Sequence, residues 1–253
     1  MQDAVARAIN VMWERYHEPI SLSDLADAAI LSKFYFSRVF RSMTGTSPGR
    51  FLSAIRLHQA KRLLLDSSMS VTEISYHVGY NSPGTFTSRF TKSVGLAPTR
   101  YREMPGTGIL PPLPATSSAG NPSICGTLKF PDVRLPPLRA YIGAFKTPVP
   151  EGMPASCDVI ECDRRRFSLY GLPDGAWYVR VLAVECVDLH PSPSKRRPLF
   201  VGGGPMVSVK PGRIIESTVM LHEASVFDLP ILLAIPELDC REVELPLAGA
   251  VVG

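Results

Sequence analysis

The sequence predicts a multidomain chain of two classes: an all-α module over residues 1–104, then a mostly-β sandwich over residues 124–253. A linker over 105–123 joins them. Three observations predict this. A helix-punctuated segment occurs twice within the first 104 residues. The run "MPGTGILPPLPATSSAGNPS" that follows is dense in Pro, Gly, Ser and Thr, the composition of a linker. Beyond it come short alternating segments. In "AWYVRVLAVECV", Val179, Val181 and Ala183 fall on one side and Arg180, Leu182 and Val184 on the other. Both sides are partly apolar, as a strand buried in a sandwich requires.

The bulk numbers fit. The chain has 253 residues, 45% of them hydrophobic and 20% charged, which is globular and long enough for two domains. No apolar run approaches the ~18 residues of a membrane span. The opening "MQDAVARAINVMWERYHEPI" carries acids and lacks the apolar core of a signal peptide. A cytoplasmic protein with no membrane partner is expected. The net charge of +4 is unevenly placed: residues 1–104 hold 13 Lys and Arg against 8 Asp and Glu, the remainder 14 against 15. The basic excess therefore lies in the helical part, which suits an anionic partner such as nucleic acid. All five cysteines, Cys125, Cys157, Cys162, Cys186 and Cys240, lie in the second part. Their odd number and the lack of a CxxC pair argue for ordinary thiols over a disulfide framework. Cys157 and Cys162 form the one close pair.

The helical part reads as a duplication. In "SLSDLADAAILSKFYFSRVFRSMTGTSPGRF" and "SVTEISYHVGYNSPGTFTSRFTKSVGLAPTRY", Ser21 matches Ser70, Asp24 matches Glu73 and Leu25 matches Ile74, an offset of 49. After a one-residue insertion, Ser32 matches Ser82, Phe36 Phe86, Phe40 Phe90, Gly45 Gly95, Pro48 Pro98 and Phe51 Tyr101. Each copy, about 21–45 and 70–95, reads as helix, tight turn, helix. Ser21 and Ser70 are N-caps, with an acid three residues on. Ser32 and Ser82 cap the second helices, and Pro83 suits a first helical position. Gly45 and Gly95 stand where a left-handed residue ends a helix.

Phe36 and Phe40 point inward in the first copy, Phe86 and Phe90 in the second. At ~100° per residue, Phe34, Ser37, Arg38 and Arg41 then fall on the outer face of the first, and Gly84, Thr87, Ser88 and Thr91 on that of the second. These faces are small, polar or basic. They suit insertion into the major groove of DNA, with two solvated surface helices as the plainer alternative. A helix over 48–66, at ~1.5 Å per residue roughly 28 Å long, joins the copies. Successive major-groove faces lie ~34 Å apart, so one chain could present both outer faces to one side of a duplex.

Residues 5–103 resemble the AraC/XylS family of bacterial transcription regulators. The resemblance rests on Ile74, Gly79, Tyr80, Ser82, Phe86, Phe90, Gly95, Pro98, Tyr101 and Arg102, the order of the family's most regular segment. It implies a double helix-turn-helix module that binds double-stranded DNA. Phe34, Ser37 and Arg38 resemble base-facing positions, while Arg41 and Arg50 would reach phosphates. Pro83, Gly84, Thr87 and Ser88 occupy the corresponding face of the second reading helix, and Lys92 completes the set of candidate contacts. Two departures stand out. Pro83-Gly84 replaces longer polar side chains, and Thr91 stands where the family usually has Lys or Arg. The second helix is therefore expected to discriminate sequence less than the first. Many family members carry a ligand-binding domain before this module; here the extra domain follows it.

In the second part, "RRFSLYGLPDGAWYVRVLAV" reads strand, turn over 171–175, strand, and "MVSVKPGRIIESTVMLHE" reads strand, Pro211-Gly212 turn, strand. The pair resembles small transthyretin-like sandwiches of the carboxypeptidase-regulatory type. No catalytic residue, metal set or cofactor is expected: His190 and His222 are isolated and no nucleophile elbow is present. Arginines 164–166 and the basic run 195–197 read as solvated edges, Trp177 and Tyr178 as core and rim, and "VGGGP", 201–205, as a flexible loop rather than a phosphate cradle. The apolar tail from 225 either completes the sandwich or forms a strand for a partner. The function expected is sequence-specific transcription regulation, with the sandwich sensing an effector or mediating dimerisation. The alternative is a DNA-tethered adaptor whose sandwich docks a protein. Further partners considered are RNA polymerase, a small-molecule effector and a second copy of the chain.

Overall fold

The computed structural model describes residues 1–107, 123–161, 164–185 and 198–234. Most of the expected linker, Cys162, Cys186, Cys240, His190, the basic run 195–197 and the end of the tail lie outside the described residues. The element order is all helical, then all strand: α1 (Gln2–Glu14), α2 (Leu22–Ala29), α3 (Lys33–Thr44), α4 (Pro48–Asp66), α5 (Val71–His77), α6 (Pro83–Val94), α7 (Pro98–Thr107), β1 (Ile124–Lys129), β2 (Leu138–Phe145), β3 (Ser156–Glu161), β4 (Arg166–Leu169), β5 (Gly175–Glu185), β6 (Phe200–Val209) and β7 (Ile215–Glu223). Helix α7 carries the helical part a few residues past 104.

Both copies form helix pairs with matching ends. Ser21 and Ser70 each build a reciprocal capping box, with Asp24 and Glu73 accepting the N-cap amides at 2.8 and 2.7 Å. Ser47 and Ser82 accept amide bonds from Arg50 and Thr85, and a proline opens both α4 and α6. Ser32 has N-cap backbone angles, but its hydroxyl makes no capping bond. Gly45 and Gly95 end α3 and α6 in the left-handed region. The copies differ at the turn. Gly79 (φ 86°) supplies the left-handed turn residue of the second, and a Cβ there would meet the carbonyls of His17 and Tyr16 at 2.9 and 3.0 Å. Its counterpart in the first copy is Ile30, at φ 59°, a strained conformation for a β-branched side chain.

These caps make a pH dependence. The Ser21 amide and hydroxyl hold the Asp24 carboxyl below its ordinary range, and the Ser70 hydroxyl and amide do the same for Glu73. A carboxyl lowered in the folded state adds stability above its unfolded pKa, near 4, that is lost as pH falls through the folded value. The double substitution Asp24→Asn, Glu73→Gln is therefore expected to flatten the acid limb of a Tm-against-pH curve. Parallel curves would assign acid loss to other groups.

Each unit has its own core. Val5, Ile9, Met12, Leu25, Phe36, Phe40, Phe51 and Ile55 fill the first, and Leu57, Leu64, Ile74, Val78, Phe86, Phe90, Val94 and Tyr101 the second. Helix α4 supplies both: Phe51, Leu52 and Ile55 to the first, Leu57, Ala60 and Leu64 to the second. A helix serving two cores is apolar around much of its circumference, which is why α4 lacks a clean amphipathic stripe. Arg56 ties it to the segment that follows α1, donating to the Tyr16 and Glu18 carbonyls at 2.7 Å each.

The strands run in the order β3-β2-β5-β6-β7-β1-β4. β7 divides its pairing. Ile215–Met220 pair in parallel with β1, while Leu221–Glu223 pair antiparallel with β6. The β6 and β7 arms therefore splay at the Pro211-Gly212 turn, one entering each layer of the sandwich. The outermost strands approach each other at the closed edge, where Asp158 accepts the Ser168 amide at 2.9 Å and Ser156 the Tyr170 amide at 3.0 Å. Ile142, Phe167, Trp177, Val179, Val207 and Val219 lie in the core between the layers. Trp177 is in the core as expected and donates its indole N–H to the Pro173 carbonyl.

Two expectations are corrected. "VGGGP" is not a loop: residues 201–205 are part of β6. The absent side chains serve close approach, since a Cβ on Gly203 would meet the Arg180 guanidinium of the next strand. The tail, as far as Ala234, neither completes the sandwich nor pairs as a strand. It forms a strap between the two domains. Ile231 and Leu233 pack on Tyr141, Leu182, Val184 and Val201, on the outer face of the sheet. Phe227 and Leu229 join the first helical core, and Leu229, Leu232 and Ala234 the second. This explains why β5 is apolar on both sides. Val179, Val181 and Ala183 face the sandwich core, and Leu182 and Val184 face the strap.

Candidate nucleic-acid interface

The buried phenylalanines set the orientation of α3 and α6. Phe36 and Phe40 are fully buried with ring centroids 5.4 Å apart; Phe86 and Phe90 match them at 5.6 Å. The opposite faces therefore point outward.

On α3, Phe34 is 93% exposed, an apolar ring presented to solvent at the start of the helix. Arg38 and Arg41 are exposed and Ser37 is half-buried. The Arg38 guanidinium carbon lies 5.2 Å from the centroid of the Tyr35 ring. Sequence reasoning missed Tyr35. Its signal was the i, i+3 spacing to Arg38, a geometry in which an aromatic face steadies a cation.

On α6, the structure brings Pro83, Gly84, Thr87, Ser88, Thr91 and Lys92 together with Val71 and Thr72 of α5 in a shallow concave groove. Gly84 helps keep it open: a Cβ there would meet nothing closer than the Ser82 hydroxyl at 3.7 Å, so the small residue is not forced by packing. Thr91 donates its hydroxyl to the Thr87 carbonyl at 2.8 Å, which commits it to the helix. Ser88 and Lys92 are exposed.

Arg50, which the resemblance implies would reach a phosphate, has an acidic neighbour from the sandwich. Its Nη2 bonds the Glu151 carboxylate at 2.7 Å, on the loop between β2 and β3. The same loop reaches the C-terminal end of α6, where the Gly152 amide donates to the Ser93 carbonyl at 2.9 Å. The sandwich thus occupies one cation of the helical module. Nothing in the sequence pairs residues 101 positions apart.

Two capped helix pairs, each turning an acid-free helix outward and joined through one shared central helix, define a double helix-turn-helix module. Within that class the module is of the AraC/XylS type, and residues 25–104 match the family model described as a helix-turn-helix domain. The uncharacterized HTH-type transcriptional regulator YdeC of Bacillus subtilis (strain 168) is 34% identical over 96 residues, which cover 38% of this chain and 33% of that protein. The lactose operon transcription activator of Staphylococcus xylosus is 28% identical over 102 residues, 40% of this chain and 37% of that protein. Among solved structures, the DNA-binding domain of AdpA in complex with a target DNA is 33% identical, covering 41% of this chain and 96% of that one with a TM-score of 0.39. The similarity spans about a third of the length of these curated relatives.

Proposed function

We propose that the chain is a sequence-specific, DNA-binding transcription regulator whose sandwich passes a signal to the reader. The observation that carries this is the pair of outward faces on α3 and α6. Neither helix contains an acid, and each presents exposed cations beside small polar residues. Such a face offers cations to phosphates and donors to base edges. Phe34 suits apolar contact with a thymine methyl. The strap supports the signalling role, because one short segment packs on the sheet and on both helical cores. This favours a sensor over an adaptor that only docks a protein. A site of action in the cytoplasm, on the nucleoid, follows from the DNA partner.

The test is selection of duplexes from a random pool by the full chain. Two short blocks about one helical turn apart are expected; a pool that stays unenriched overturns the reading. The mass of the protein–DNA complex then tells one copy from two. On the selected site, Arg38→Ala is expected to weaken binding about 5- to 150-fold, the ~1–3 kcal/mol of a base contact, and to relax one block. Ser88→Ala is expected to relax the other block less. Equal loss of discrimination in the two variants would remove the asymmetry between the readers.

A further inference from the structure

The outer face of the sheet formed by β3, β2, β5 and β6 is incompletely covered. Between it and the strap lies a cavity of about 390 Å³, within the range of small-molecule sites. Tyr141, Gly143, Cys157, Leu182 and Val201 belong to its floor, and Ile231 and Leu233 of the strap to its roof. The loop over 148–154 and the end of α3, Thr44 and Gly45, complete the wall. Gly143 and Gly203 keep the floor low, since side chains there would collide with the Phe145 ring and with Arg180.

The lining is mostly apolar, with one cation set into it. Arg180 lies across Gly203 and is half-buried, and desolvation pulls its pKa down. Its Nε donates to the Pro148 carbonyl at 2.6 Å, and Nη1 to the carbonyls of Val179 and Gly204 at 2.9 and 3.0 Å. Among the described residues no carboxylate pairs with it, and Nη2 has no hydrogen-bond partner. Asp228, the acid on the cavity wall, is committed elsewhere: it holds His222 Nε2 at 3.0 Å and accepts from the Ser225 amide and hydroxyl. The guanidinium carbon also lies 5.4 Å from the Tyr178 ring centroid. A part-buried guanidinium held by carbonyls and an aromatic ring lacks the opposite charge that would offset its desolvation. The fixed fork offers an anion a preset donor.

We propose that this cavity binds a small organic acid, an apolar body bearing one carboxylate, with the carboxylate on Arg180 and the body between sheet and strap. Because the other side of the strap lies in both helical cores, occupancy would act on the reader; that part rests on the regulator reading above.

The full chain is titrated with 8-anilinonaphthalene-1-sulfonate, an apolar anion that fluoresces in such a site, and the dye is then displaced with decanoate or with decanol. Saturable one-to-one binding is expected, displaced by decanoate at least tenfold more effectively than by decanol. Arg180→Met, which keeps the apolar stem, is expected to weaken dye binding at least tenfold, while Arg164→Met on the sandwich surface leaves it unchanged. Absence of saturable binding, equal competition by decanol, or an unchanged affinity in a folded Arg180 variant overturns the site. The decanoate–decanol comparison uses the unsubstituted chain, so it decides even where the variant fails to fold. Saturating decanoate is further expected to shift the Kd for the selected duplex at least fivefold, within the usual span of allosteric coupling. An unmoved Kd refutes the coupling. Acid binding by a chain that enriches no duplex refutes the regulator reading and leaves the site standing.

Discussion

Phe86→Ala is expected to destabilise the helical module by about 3–5 kcal/mol, the usual result of emptying a buried phenylalanine site. Phe86 is fully buried, in a chain of aromatic contacts with centroids 5.4 Å to Tyr80, 5.6 Å to Phe90 and a further 5.6 Å from Phe90 to Tyr101. This chain seats α6 against α7 and the turn that precedes it. A loss of that size is a large share of the ~5–15 kcal/mol that holds a domain folded, and should lower Tm by more than about 10 °C. DNA affinity should fall with it, because Thr87 and Ser88 are positioned only while α6 is seated. Ser88→Ala is the control: the side chain is exposed, so stability should move by less than about 0.5 kcal/mol while DNA selection changes. Thermal melts followed by circular dichroism, run beside DNA titrations, separate the two effects. An unmoved Tm for Phe86→Ala would mean that the aromatic chain does not seat the helix.

Lys61→Met is expected to loosen the attachment of the sandwich and leave the helical module intact. Lys61 is 3% exposed on α4. Its ammonium donates to the carbonyls of Ile231 and Leu233 at 3.3 and 2.9 Å and lies 5.5 Å from the Tyr101 ring centroid. Methionine keeps the length of the stem and removes the charge. Within the module the change is mild, since an apolar side chain in an apolar core escapes the cost of burying an ammonium. At the strap, two carbonyls lose their donor, at a cost of about 1–3 kcal/mol. Opening of the strap should rise by about 5- to 150-fold, read as the rate of proteolytic cutting within 225–234 under conditions where cleavage follows the open population. A second thermal transition should separate from the first as the domains uncouple. Cutting at the unsubstituted rate would show that apolar contacts alone hold the strap.

How much of this was legible in the sequence follows from the range of each interaction. The capping boxes at Ser21 and Ser70 join residues three apart, so a single line of sequence displays them. The phenylalanine pairs on α3 and α6 repeat at helical spacing, and their burial fixes which side chains face outward. Ser32 was misread because a residue type permits a capping bond without supplying its geometry. "VGGGP" was misread because glycine signals both flexibility and close packing. What decides between them is Arg180 on a neighbouring strand, more than twenty residues away. Arg50 has a role only by resemblance, and the carboxylate the structure sets beside it lies 101 positions on.

The sequence by itself determined the double helix-turn-helix module, its two capping boxes and its outward faces, because helical periodicity and end chemistry are local and were written twice. The β class of the second part was also legible, from alternation and turn residues. Only the tertiary structure decided where the tail goes, which cation pairs with Glu151, and that a cavity with Arg180 lies between sheet and strap. Those outcomes depend on long-range packing. A segment whose residues alternate between two partners carries no mark of which partners they are until both surfaces exist.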